Sequence, residues 1–238
     1  MTDLARIHYA IGDIHGEAAR LTKLHGLIFE HHLAFHADQP AVLVHLGDYV
    51  DRGPDSRGVI ERLRTLERAA AGNPKLDIIC LRGNHEQMMI DALDGGAMAE
   101  ALWARNGGTA TLASYETDPI PGLLYKHHMW LKARPFRHWD EADQLVFVHA
   151  GVDGAFFPDE KRETYMWTRA ETFFDTQRWT SPTLQGHTVI HGHTPTDDNR
   201  PFVSLDGRRI NVDTGVCFGG SLTAAVIAPG EDVRFLSV

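Results

Sequence analysis

Short apolar runs punctuate the chain at residues 7–11, 41–46, 76–81, 144–148, 188–190 and 209–212, and each meets glycine or a residue of metal-ligand type within a position or two of its end. Runs of this length bounded by turn residues predict buried strands. Between the first three lie stretches at 17–33 and 55–68 whose apolar residues recur at mixed three- and four-residue spacing, the helices that βαβ units require. Pro54 stands just ahead of the second, where a helix start tolerates proline. A third helix is expected to begin near His85 and continue through Ala92.

The alternation breaks at 95–140, which holds a helix-like piece around Trp103, the cluster Asn106-Gly107-Gly108 and a turn from Asp118 to Gly122. This segment reads as a cap-like insertion in a single α/β domain spanning 1–238. From Phe202 onward the pattern predicts short strands joined by turns at Asp206-Gly207 and Pro229-Gly230, forming a second, more antiparallel sheet.

Composition narrows the function. Apolar residues are 43% and charged residues 23%, as in a folded globular protein. The formal charge of −9 weighs against nucleic acid as a partner but not against small phosphorylated substrates, because bound cations reverse the local field. No run approaches the roughly 18 apolar residues of a membrane span, and no membrane partner is expected; residence is expected to be cytoplasmic. Two cysteines, Cys80 and Cys217, are too few for a disulfide framework or a thiolate zinc cluster, and both read as packing residues.

The chemistry gathers where strands end. Asp13 and His15 lie in Gly12-Asp13-Ile14-His15-Gly16 after the first run, and Asp48, Asp51 and Arg52 crowd the glycine-bounded loop after the second. Asn84, His85 and Glu86 follow the third, where Asn84 could also serve as a helix cap. His149 and His193 each follow a later run, and His191 is assigned a structural role. A lone histidine after an apolar run is ordinarily just a hydrogen-bonded side chain. The conjunction matters more, since ligands of α/β sheets gather at strand carboxyl ends. Asp13, His15, Asp48, Asn84, His149 and His193 are oxygen and nitrogen donors, too many for one tetrahedral zinc, so two cations sharing one carboxylate fit better.

The ordered motifs GDIHG, GDYVDRG, GNHE, HAG and GHT resemble those of the bacterial phosphoprotein phosphatases, the serine/threonine branch of the calcineurin-like metallophosphoesterases. The resemblance implies a four-layer α/β/β/α fold, with two mixed sheets forming a sandwich flanked by helices. It implies that Asp13 and His15 bind one metal, that Asn84, His149 and His193 bind the other, and that Asp48 bridges them. His85 is then the general acid, Asp51 orients it, and Arg52, Arg169 and Asn84 hold the phosphate. The cofactors implied are two divalent ions, manganese first, with iron or zinc as alternatives. The implied reaction is direct attack of a metal-activated water on phosphoserine or phosphothreonine in a protein, or on a small phosphoester. Diadenosine tetraphosphate or a nucleotide is the alternative substrate, with Trp103, Tyr115, Tyr125 and Trp130 of the insertion available to stack a base. No regulatory-subunit extension is recognisable.

Overall fold

The computed structural model describes residues 6–117 and 120–238; Asp118 and Pro119, at the start of the expected turn, lie outside the described residues. Among the described residues, ten strands form two five-stranded sheets. The first has the order β10-β9-β1-β2-β3, where β1 is Ile7–Ile11, β2 Ala41–His45, β3 Leu76–Cys80, β9 Thr223–Ile227 and β10 Arg234–Ser237. The second has the order β4-β5-β6-β8-β7, where β4 is Arg137–Asp140, β5 Leu145–Val148, β6 Thr188–His191, β7 Phe202–Val203 and β8 Arg209–Asn211. Both sheets are mixed: β1-β2-β3 and β5-β6-β8 are parallel, while β9, β10, β4 and β7 pair antiparallel at the flanks.

Each parallel strand reads as a continuous apolar run because both its faces are covered. On β1, Ala10 points between the sheets with Val44, Phe147, Ile190 and Ile210. Ile7, Tyr9 and Ile11 point the other way, against α1 (Ala18–Phe35) and α2 (Ser56–Ala70). On the outer face of the second sheet, Val146 and Val148 of β5 are covered by Tyr165, Phe173 and Trp179, drawn from the region of two short helices, α7 (Arg162–Trp167) and α8 (Glu171–Phe174). Helix, sheet, sheet and helix thus stack as four layers. Helix α2 starts where Asp55 accepts from the Gly58 N–H at 2.7 Å, a cap worth about 1 kcal/mol.

One expectation changes. The C-terminal third does not make a sheet of its own: β7 and β8 complete the second sheet, whereas β9 and β10 return to the first, with β9 antiparallel to β1. The sequence Thr223-Ala-Ala-Val-Ile is small and apolar enough to be covered on both faces, which places it beside β1 rather than at an exposed edge. In the segment after Gly95, α4 (Ala97–Trp103), a π-helical turn at Ala104–Gly108, α5 (Thr109–Glu116) and α6 (Leu123–Lys132) pack on α2 and on α3 (Asn84–Asp94), and its last four residues are the edge strand β4. No helix among the described residues is long and apolar enough to cross a membrane.

Candidate metal centre

All six parallel strands deliver a polar side chain just past their carboxyl ends: Asp13 after β1, Asp48 after β2, Asn84 after β3, His149 after β5, His193 after β6 and Asp213 after β8. The loops carrying them are pressed together. A Cβ on Gly53 would lie 2.0 Å from the His15 carbonyl oxygen, and one on Gly47, at φ 112°, would lie 2.6 Å from the Gly83 nitrogen, so only glycine lets these backbones meet.

His15, Asp48, Asp51, Arg52 and His193 adopt φ of 44°, 53°, 73°, 68° and 67°. Left-handed backbone costs a non-glycine residue about 1–2 kcal/mol. Five such residues within one constellation mark a place where side-chain position outweighs backbone comfort.

The carboxylate of Asp48 faces two groups. Its Oδ2 lies 3.5 Å from His15 Nε2 and 3.9 Å from His85 Nε2, and its Oδ1 lies 3.3 Å from His149 Nε2. Beyond Oδ1, the Asn84 Oδ1 is 2.9 Å from both His149 Nε2 and His193 Nδ1. Asn84 is the first residue of α3 rather than its cap; that place is taken by Gly83, whose N–H donates to Glu86. Asp13 Oδ1 accepts from the backbone N–H of His193 at 3.1 Å, joining the ends of β1 and β6. His191 turns away from the cluster, paired with Arg209 at 3.0 Å and packed on Phe173.

The donor chemistry fits cations. His15 gives its Nδ1–H to the Val50 carbonyl and His149 gives its own to the Leu46 carbonyl, which leaves each Nε2 as a lone pair turned toward Asp48. Burial pushes the pKa of His15 down to about 3 and that of His193 down to about 2, so both rings are neutral ligands. Burial, then the charges of Asp213 and Asp48, push Asp13 well above the carboxylate range. Burial acts on Asp48 in the same direction, but His149, His85 and His15 outweigh it and hold that pKa well down. Acids crowded together out of water are relieved by positive charge, and this oxygen-and-nitrogen set suits manganese, iron or zinc.

Beside the cluster, His85 Nδ1 lies 2.7 Å from Asp51 Oδ2, and Arg52 reaches His15 Nε2 and His85 Nε2, both at 2.9 Å. Arg169 Nε lies 3.2 Å from His193 Nε2. Arg52, His85, Arg169 and His193, with Asp48 and Phe218, line a cavity of about 260 Å³.

Several contributors escaped the sequence reading. Asp51 is held by Trp103 Nε1 at 2.9 Å and Thr111 Oγ1 at 2.7 Å. The Glu86 carboxylate accepts from the N–H groups of Asp48, Tyr49, Val50 and Gly83 at 2.7, 2.7, 3.3 and 2.9 Å. Asp213 follows a strand just as Asp48 does, which was the signal that could have found it; burial raises its pKa to about 6. Cys80 packs in the core as expected, but Cys217 does not: its sulfur stands 3.6 Å from Arg52 Nη1. The insertion aromatics are mostly committed to hydrogen bonds, Trp103 to Asp51, Tyr115 to His127 and Trp130 to Glu67, because a buried indole or phenol needs a partner. A further cluster, His8, Asp140 and Asp143, lies elsewhere and is already occupied by the Arg6 guanidinium.

A family model described as calcineurin-like phosphoesterase matches residues 9–221. The chain is 30% identical over 227 residues to serine/threonine-protein phosphatase 1 of Salmonella typhimurium, covering 92% of this chain and 91% of that protein. It is 29% identical over 230 residues to the asymmetrical bis(5'-nucleosyl)-tetraphosphatase PrpE of Geobacillus, covering 90% and 87%. A solved protein serine/threonine phosphatase of Saccharomyces cerevisiae superposes with a TM-score of 0.62 at 15% identity over 99% of this chain and 80% of that one, a likeness of fold.

Proposed function

Since the chain belongs to the calcineurin-like phosphoesterase family, we propose that it hydrolyses phosphate monoesters of serine and threonine in proteins, using two divalent cations held by Asp13, His15, Asp48, Asn84, His149 and His193. The observation that carries this reading is Asp48, whose two oxygens face separate donor groups, His15 on one side and His149 with Asn84 and His193 on the other. Manganese is the metal we favour, on the donor set and the motif resemblance. The Salmonella protein's name supports a protein substrate.

Bound there, the cations acidify water and withdraw charge from the phosphoryl group. Arg52 and Arg169, which border the cavity, turn from His15, His85 and His193 to the phosphate oxygens. His85, its Nδ1 fixed by Asp51, presents Nε2 to the leaving oxygen and supplies the proton that a poor alkoxide leaving group needs. Trp103 and Thr111 saturate the other Asp51 oxygen and so fix the His85 ring. Residues 95–140 act as a cap in this reading, supported by those two contacts and by the Gly107 carbonyl, which accepts from the Arg52 N–H at 3.3 Å.

The test is removal of metal by chelation, then return of manganese, iron, zinc and magnesium singly, with phosphoserine-peptide hydrolysis and elemental analysis as readouts. Activity is expected to vanish and to return best with manganese; turnover by fully stripped protein sinks the proposal. Hydrolysis of dinucleoside polyphosphates is the second reading, favoured by a larger cavity adjoining the site and by the name of the Geobacillus relative.

A further inference from the structure

The sequence Asn106-Gly107-Gly108 interrupts what would otherwise be one helix through 97–116. The chain kinks there in a π-helical turn, and Gly107 leaves helical backbone altogether at φ 104° and ψ 7°. Turns of this kind break the regular helix ladder and recur at functional sites. Asn106 Nδ2 donates to the Leu102 carbonyl at 2.8 Å and braces the kink from the turn before it. The two glycines then meet different partners. A Cβ on Gly107 would lie 2.8 Å from the Arg52 nitrogen and 2.9 Å from its Cγ, whereas one on Gly108 would lie 2.5 Å from the Trp103 ring.

Arg52 depends on such a neighbour. It and Asp51 are consecutive non-glycine residues in left-handed backbone, at φ 68° and 73°, a conformation that persists only where the surroundings impose it. The same stretch of chain holds both backbone N–H groups: Asp51 donates to Thr111 Oγ1 at 2.9 Å and Arg52 to the Gly107 carbonyl at 3.3 Å. The Arg52 side chain is exposed, and among the described residues no carboxylate pairs with its guanidinium. That group meets only His15, His85, the Cys217 sulfur at 3.6 Å and the Phe218 ring, whose centroid is 5.3 Å away. Without a carboxylate to anchor it, where the guanidinium goes is set by where its backbone starts.

We propose that Gly107 is a positioning residue for the phosphate grip: its bare backbone seats the Arg52 main chain and so aims the guanidinium into the catalytic cavity that it shares with Arg169. Gly108 serves a different group, letting Trp103 approach and hold Asp51, which in turn fixes His85. Adjacent glycines thus support separate parts of the site, one the binding of phosphate and the other the delivery of the proton. The assignment rests on the phosphoesterase reading above for the roles of Arg52 and His85.

The experiment compares manganese-loaded wild-type protein with Gly107→Ala, Gly108→Ala, Arg52→Ala and the double variant at 52 and 107. Calorimetry with inorganic phosphate, kcat and KM on a phosphoserine peptide, and elemental analysis are the readouts. Phosphate affinity is expected to fall about 10–100-fold in Arg52→Ala, as for loss of a charged hydrogen bond, and about tenfold in Gly107→Ala, with KM rising by a similar factor and manganese content unchanged. The double variant should bind phosphate no more weakly than Arg52→Ala. Gly108→Ala should instead lower kcat about tenfold and leave phosphate affinity unchanged. Asn106→Ala keeps both glycines and tests the kink even where Gly107→Ala does not fold; it should repeat the Gly107→Ala pattern at about threefold. The assignment is overturned if Gly107→Ala binds phosphate as wild type does, if it loses manganese, if the two glycine variants lose the same property, or if Gly107→Ala lowers affinity as much in the Arg52→Ala background as alone. Should phosphate binding follow the expected pattern while no ester turns over, the positioning role stands and the hydrolytic reading fails.

Discussion

Replacing Glu86 with glutamine tests how the metal-facing loop is built. Glu86 is fully buried, and each of its two carboxylate oxygens faces two backbone donors: Oε1 accepts from Tyr49 and Val50, Oε2 from Asp48 and Gly83. Burial, then the charge of Asp48, pushes its pKa up to about 8. A cation beside Asp48 cancels that charge and leaves the four N–H donors to hold Glu86 ionised. An amide keeps the shape but substitutes an NH2 for one oxygen, so two buried N–H groups meet a donor in place of an acceptor. Each unsatisfied group costs about 1–3 kcal/mol, giving a loss of about 2–6 kcal/mol, a large part of the roughly 5–15 kcal/mol that holds a domain together. Urea unfolding of the manganese-loaded proteins reads this loss. Elemental analysis across a manganese titration should show affinity weakened about 10–100-fold, because the backbone that positions Asp48 is no longer pinned. A Glu86→Gln protein within about 1 kcal/mol of wild type, with unchanged metal affinity, would show that the carboxylate is protonated or dispensable.

His85→Asn should lower kcat about 10²–10⁴-fold on a phosphoserine peptide, leave metal content unchanged, and lose far less on p-nitrophenyl phosphate, whose leaving group departs without a proton; equal losses on both substrates contradict the proton-donor role. Thr111→Val removes one of two donors to Asp51 Oδ1 and is expected to lower kcat about tenfold with KM unchanged and to displace the alkaline limb of the pH–rate profile, where the proton donor titrates; an unaltered profile rejects the positioning role. Burial drives the pKa of His45 down to about 4 and that of His25, its partner at 2.9 Å, down to about 2. The unfolded chain therefore binds protons first, and stability should fall as pH drops from about 6.5 to about 4, by up to about 3 kcal/mol for His45. His45→Gln should flatten that part of the urea-derived stability curve, and an identical slope in the two proteins refutes the account.

What the amino-acid order determined by itself was the repeating event of an apolar run, then glycine, then a ligand-type side chain. Strand runs are local, and in a parallel sheet the carboxyl end is where a loop must emerge, so Asp13, Asp48, Asn84, His149 and His193 could be read as neighbours without knowing which strand lay beside which. Asp213 obeys the same rule after β8, following the run at 209–212, but was not counted among the ligand residues. Tertiary structure alone decided the rest. Pairing of β9 with β1 joins segments more than 200 residues apart, and no local periodicity encodes a partner at that distance. Trp103 and Thr111 reach Asp51 from 52 and 60 residues away, and Arg209 lies beside Phe202 and Phe174 only because β7 and β8 pair and α8 packs against them. A chain specifies its own backbone preferences residue by residue, but which buried polar group satisfies which is settled when water is excluded, and that happens only on packing.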